Sequence, residues 1–179
     1  MQRIVYYVAM SLDGYIAGHE EDVSGFIPSG PGVDQYFKDL QDFKTVIMGR
    51  KTYEFGYQFG LTPGASPYPW MRNIVFSSSV RFDQSSQVET AELTLERVRQ
   101  IREESETDIY LCGGGELASW LLRHKQLDVL KVKLNPLILG GGIPLFGENT
   151  LDGHRCSFID QKGYSDGLQI ITYDVQYDE

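Results

Sequence analysis

The sequence predicts an α/β fold of three layers, with a mostly parallel central sheet and an antiparallel C-terminal hairpin at its edge. Three observations lead there. Short apolar, β-branched runs recur along the chain, as expected of strands buried on both faces. Helical stretches separate most of them, which favours crossover connections and a parallel sheet. The last two strand-like runs follow one another directly, across a hairpin-like GYSDG. A length of 179 residues, with 41% hydrophobic and 23% charged residues, suits one globular domain spanning residues 1–179.

Each element has its own justification. Residues 3–10 (RIVYYVAM) are nearly all apolar and form the first strand. Residues 11–17 (SLDGYIA) leave it, and 18–32 make a Gly/Pro/acid-rich loop. Asp34 is a candidate N-cap for a helix to about residue 43, with Val33, Phe37 and Leu40 on one face. Residues 45–48 are a second strand, from which Gly49 opens a short helical RKTYEF. Residues 61–70 hold three of the seven prolines and read as a loop, and 72–77 are a third strand. Residues 93–104 are amphipathic, with Leu93, Val98 and Ile101 inward, and 108–112 are a fourth strand. Gly113 to Gly115 turn into a helix over 116–124 that carries Leu117, Trp120 and Leu121. Residues 129–134 are a fifth strand, 135–146 a Gly/Pro loop, and 154–162 and 167–177 the closing hairpin.

Composition narrows the function. Sixteen basic and 25 acidic residues give a net charge of −9, which disfavours nucleic acid or an anionic membrane as partner. No apolar run approaches the roughly 20 residues of a membrane span. The opening apolar stretch lacks the features of a signal peptide, so a cytoplasmic protein is expected. Cys112 and Cys156 sit in apolar runs and read as buried thiols. His19, His124 and His154 match no metal-ligand spacing, and no metal is expected.

Several motifs carry chemistry. Cys112-Gly113-Gly114-Gly115-Glu116-Leu117-Ala118 lies between a strand and a helix and fits G-x-G-x-x-A. Glycines there let backbone N–H groups approach a pyrophosphate at the positive end of a helix. The alternative is a tight turn with no ligand. Met48-Gly49-Arg50-Lys51-Thr52 also joins a strand to a helix. Its adjacent cations and hydroxyl suit a phosphate monoester such as the 2′-phosphate of NADP, against the alternative of a solvated basic pair. Ser77, Ser78 and Ser79 add hydroxyls after the next strand. Asp13 and Asp34 are the acids nearest the first strand and helix, and each also reads as a turn former or cap.

VAMSLDGYIA, MGRKTYE, NIVFSSS and IYLCGGGELASWLL follow the order and rough spacing of the dihydrofolate reductase fold. KLNPLILGGGIPLF resembles the reductase domain of the bifunctional riboflavin-biosynthesis deaminase-reductase and its stand-alone bacterial relatives. The resemblance implies a three-layer dihydrofolate-reductase-like fold and an NADPH-dependent oxidoreductase acting on a small molecule. It places Ala9, Ile16 and Ala17 around the nicotinamide, and Gly49, Arg50, Lys51 and Thr52 at the 2′-phosphate and ribose. Phe76, Ser77 and Ser78 fall on the adenosine side, and Gly113, Gly114, Gly115, Glu116 and Leu117 on the pyrophosphate. Asp13 is the candidate for orienting substrate or relaying a proton. Phe26 and Asp34 are candidates for lining the substrate cleft.

The nearest named chemistry is 5-amino-6-(5-phosphoribosylamino)uracil reduction. Two alternatives stay open, a non-catalytic NADPH-binding module and a divergent dihydrofolate reductase. Alignment on Tyr36-Phe37-Lys38 puts Val33, and not Asp34, at the pteridine-anchoring position, which argues against folate. Relatives that pair through their sheets imply a homodimer, and the apolar terminal strand of Ile170, Ile171, Tyr173 and Val175 would be costly at an open edge.

Overall fold

A computed structural model describes residues 1–83, 85–147 and 152–177. An eight-stranded sheet runs through the middle, and its order shows where the functional edge must lie. The strands are β1 (Ile4–Met10), β2 (Tyr15–Ala17), β3 (Thr45–Gly49), β4 (Arg72–Phe76), β5 (Val88–Ala91), β6 (Ile109–Gly113), β7 (Val129–Leu134), β8 (Ile143–Pro144), β9 (Cys156–Gly163) and β10 (Gln169–Val175). The large sheet has the order β5-β4-β3-β6-β1-β7-β10-β9. All neighbours from β5 to β7 are parallel, and β10 and β9 close the sheet antiparallel.

β1 shows why apolar runs become central strands. Ile4 and Tyr6 enter one core, Val5 and Tyr7 the other, so both faces are buried. Helices α1 (Pro31–Leu40) and α2 (Arg50–Phe55) cover one face through Val33, Leu40 and Tyr53. Helices α3 (Leu95–Glu104) and α4 (Gly115–Arg123) cover the other through Val98, Ile101, Leu117, Ala118 and Leu121. The three expected layers and the closing hairpin are therefore present.

The local differences have local causes. α1 begins at Pro31 after Gly30 (φ 122°), and Asp34 lies in its first turn with no capping bond. A proline whose fixed φ suits the first helical position sets the start. β5 has no counterpart in the sequence pattern: only Val88 and Ala91 of VETA are buried, too few for an alternating signal. β2 and β8 pair as a small second sheet inside segments that read as loops. Cys156 is exposed and not buried, because β9 is exposed along its whole length. Cys112 is partly buried, with Sγ 3.4 Å from Tyr68 Oη. The terminal strand β10 is not an edge: it is held between β7 and β9, and β9 is the outer strand.

β3 and β6 lie side by side, yet the chain leaves β3 toward β4 and β6 toward β7. In open parallel sheets such a divergence leaves a crevice beyond the carboxyl ends of the strands.

Candidate functional site

The crevice is built from two strand-to-helix turns. β6 ends at Gly113 (φ 139°), a cis Gly113–Gly114 peptide follows, and Gly114 is the N-cap of α4. Among the described residues no side chain makes a capping hydrogen bond at this helix start, and Glu116 lies in its first turn. After β3, Gly49 leads into α2, again without a side-chain cap. The two turns touch: a Cβ at Gly114 would lie 3.0 Å from Thr52 Oγ1.

Beside them lies a cleft of about 550 Å³. Gly49, Arg50, Phe76, Ser77, Ser78, Glu116 and Leu117 all line it, drawn from three separate stretches of the sequence. Thr52, Gly113 and Gly114 form the adjoining contact, while Lys51 is exposed on α2 and is not part of the wall. Gly115 is buried where a Cβ would stand 2.7 Å from the Pro144 carbonyl, which fits α4 closely against β8. Ala9, next to the last residue of β1, is half-buried, and Ile16 and Ala17 lie on β2.

The cleft also takes in Ser79, Glu92, Leu93, Trp120 and Arg123. Arg123 supplies a second cation on the α4 side. Residues 116, 120 and 123 follow helical i, i+4, i+7 spacing, opposite the buried Leu117, Ala118 and Leu121. That spacing is the signal that finds Trp120 and Arg123. Arg50 is half-exposed, its Nη1 3.2 Å from a Glu54 carboxylate oxygen one turn on. An exposed pair of this kind is weak enough for a phosphate to compete with it. Ser77 Oγ accepts from the Ser79 and Val80 amides at 3.2 and 3.0 Å and so shapes the turn after β4.

Asp13 lies in the turn between β1 and β2 and is held by three hydrogen bonds. Its Oδ1 accepts from Ser11 Oγ at 2.7 Å and from the Leu139 amide at 3.1 Å, and its Oδ2 from the Gly140 amide at 2.7 Å. The Ser11 hydroxyl and the loop amides hold its pKa down at about 2. Through these bonds the carboxylate latches the 135–146 loop to the turn between β1 and β2. Phe26 is 9% exposed and belongs to the core, not to an open wall. Asp34 is exposed and Val33 5% exposed, so the inward position of α1 is apolar.

A polar group on α1 that sequence reasoning missed is Asp39. It accepts from Tyr7 Oη at 3.0 Å, Gln35 Nε2 at 2.7 Å and Lys131 Nζ at 2.7 Å. Burial opposes its ionisation, but these donors outweigh burial and keep its pKa below the usual carboxylate value.

The layers, the strand order and a cleft at the diverging strands define a dihydrofolate-reductase-like α/β protein with a polar, glycine-edged crevice. Dihydrofolate reductase of Enterococcus faecalis, solved with NADP(H) and RAB-propyl, superposes with a TM-score of 0.71 over 98% of this chain and 97% of its own, at 19% identity. A Shewanella sp. PV-4 protein assigned to riboflavin biosynthesis gives 0.82 over 98% and 100%, at 24% identity. The RibD C-terminal domain family matches residues 2–170, and the chain belongs to that family. The uncharacterized protein YwjB of Bacillus subtilis is 34% identical over 154 residues, covering 83% of this chain and 85% of its own length.

Proposed function

We propose that the chain is an NADPH-dependent reductase that passes a hydride to a small-molecule substrate. The observation that carries this reading is the uncapped start of α4 opening beside a cleft walled by Arg50, Ser77, Ser78 and Arg123. These groups fit a phosphorylated dinucleotide, because helix-end amides and guanidinium forks both favour phosphate oxygens. In this reading Arg50, Ser77 and Ser78 hold the 2′-phosphate and adenosine side. Gly113, Gly114, Gly115, Glu116 and Leu117 hold the pyrophosphate, and Ala9, Ile16 and Ala17 border the nicotinamide. Lys51 adds positive potential from outside the cleft. When bound, NADPH supplies the hydride.

The chain's own contribution is to bind, orient and exclude water. Asp13 fixes the 135–146 loop, and with it β8 against β2. The nearest named chemistry is reduction of a ribosylamino-pyrimidine phosphate to its ribityl product. Folate is disfavoured by the apolar Val33 on the inward side of α1. A cytoplasmic setting and a homodimer belong to the same reading; β9, an outer strand with Phe158 63% and Ile159 45% exposed, supports pairing.

NADPH oxidation with a panel of carbonyl and imine substrates, with dihydrofolate among them, tests the reading. Turnover of a non-folate substrate with dihydrofolate inert is the expected result. Dihydrofolate turnover that vanishes in Asp34→Asn contradicts it.

A further inference from the structure

The cleft beside α2 and α4 has two kinds of wall. Arg50, Ser77 and Ser78, at the ends of β3 and β4, give it a cation and hydroxyls. Leu93, just before α3, and Trp120 of α4 give it apolar surface, and both are half-buried against the core of that face. His124 stacks on one face of the Trp120 indole, with ring centroids 3.9 Å apart and planes 21° apart. What Trp120 presents to the cleft is its other face or an edge. Phosphate oxygens gain nothing from such surface. A flat base does, because every base has a face that stacks on an aromatic ring.

Glu92 stands beside Leu93 in the same wall and is exposed. Among the described residues its carboxylate has no hydrogen-bond or ion-pair partner, and no ion pair joins it to Arg123, which lines the same cleft. A carboxylate at neutral pH only accepts hydrogen bonds, and its charge opposes every phosphate of a dinucleotide. The ligand group it favours is a donor. Adenine carries one, its exocyclic amine, where hypoxanthine carries an acceptor carbonyl.

We propose that Leu93 and Trp120 seat the purine of the bound nucleotide, and that Glu92 selects adenine by accepting a hydrogen bond from its exocyclic amine. This rests on the cofactor reading of the cleft for the presence of an adenine nucleotide; hydride transfer does not enter it.

Calorimetric titration with adenosine 2′,5′-bisphosphate, which has the base and the 2′-phosphate but no nicotinamide, tests the seat. Trp120→Leu keeps apolar bulk against the core and loses the ring; it lowers affinity at least about tenfold, ~1.4 kcal/mol. If Trp120→Leu does not fold, Trp70→Phe carries the test. The chain has two tryptophans, and Trp70 is bonded to the Leu40 carbonyl of α1, away from the cleft. In Trp70→Phe the remaining Trp120 fluorescence is quenched saturably by the same nucleotide. For the selection, the wild type binds NADPH at least about fivefold more tightly than its hypoxanthine analogue. Glu92→Gln, whose amide both accepts and donates, narrows that ratio. Unchanged affinity in Trp120→Leu, or fluorescence that does not respond in Trp70→Phe, overturns the seat. Equal binding of the two bases, or a ratio that Glu92→Gln leaves intact, overturns the selection. Nucleotide binding with these responses but no NADPH oxidation upholds the proposal and rejects the reductase reading, and NADPH oxidation with none of them does the reverse.

Discussion

Helices α3 and α4 cover the same face of the sheet, and their first turns are solved in opposite ways. α3 starts at Thr94, whose Oγ1 accepts from the Arg97 amide at 3.1 Å. Its flank is tied down further, as Arg72 and Arg97 both reach Glu89 and Glu104. α4 starts at Gly114 with no side-chain cap, beside a cleft that holds Arg50 and Arg123. A helix start without a side-chain cap and with cations nearby is an arrangement that suits an anionic ligand.

The largest effect that tests this contrast comes from Gly114→Val. The Cβ would already sit 3.0 Å from Thr52 Oγ1, and the branched side chain would crowd the open amides. The φ of Gly114 is −95°, so space and not backbone conformation is the limit. A folded protein with NADPH affinity down more than about a hundredfold, ~2.7 kcal/mol, is expected from calorimetric titration. Next comes Arg50→Ala, which removes a charge-assisted contact of ~1.5–3 kcal/mol. NADPH affinity should fall more than about tenfold while NADH changes little, and equal losses would remove the 2′-phosphate assignment. The matching change at the other helix, Thr94→Ala, should cost about 1 kcal/mol of stability in urea and leave NADPH affinity alone.

Smaller effects follow from the acids. Asp13 has a folded pKa of about 2 against an ordinary value of 3.8, so its bonds stabilise the fold above that ordinary value. The stability gap between wild type and Asp13→Asn should therefore be constant at neutral pH. It should close as pH falls from about 4 toward 2. A gap that widens with acid would mean the latch does not depend on an ionised carboxylate. Asp34→Asn, on the exposed side of α1, should change neither stability nor reductase activity.

The contrast between the two helix starts also bears on how much of the molecule is legible in its sequence. The glycine turns and Arg50 are legible because each lies in a short stretch where a strand passes into a helix, with its own local pattern. β1, β3, β4 and β6 are legible because burial on both faces leaves almost no polar residue in the run. β5 and β8 are not, being four and two residues long with too little periodicity to mark them. Asp39 is hidden for a different reason. Its partners Tyr7 and Lys131 lie 32 and 92 residues away, so nothing local distinguishes it from a solvated helix acid. Asp13 stands out in the sequence, but its pattern is that of an acid near a site. Only the folded loop shows that Leu139 and Gly140 take both its oxygens.

The central claim is that the cleft beside α2 and α4 holds a 2′-phosphorylated dinucleotide. Fluorescence titration of the wild-type protein with NADPH and with NADH tests it most directly. The arrangement of Arg50, Ser77 and Ser78 predicts saturable binding of both, with NADPH at least about tenfold tighter, ~1.4 kcal/mol. Equal affinity for the two cofactors, or binding of neither, would contradict it.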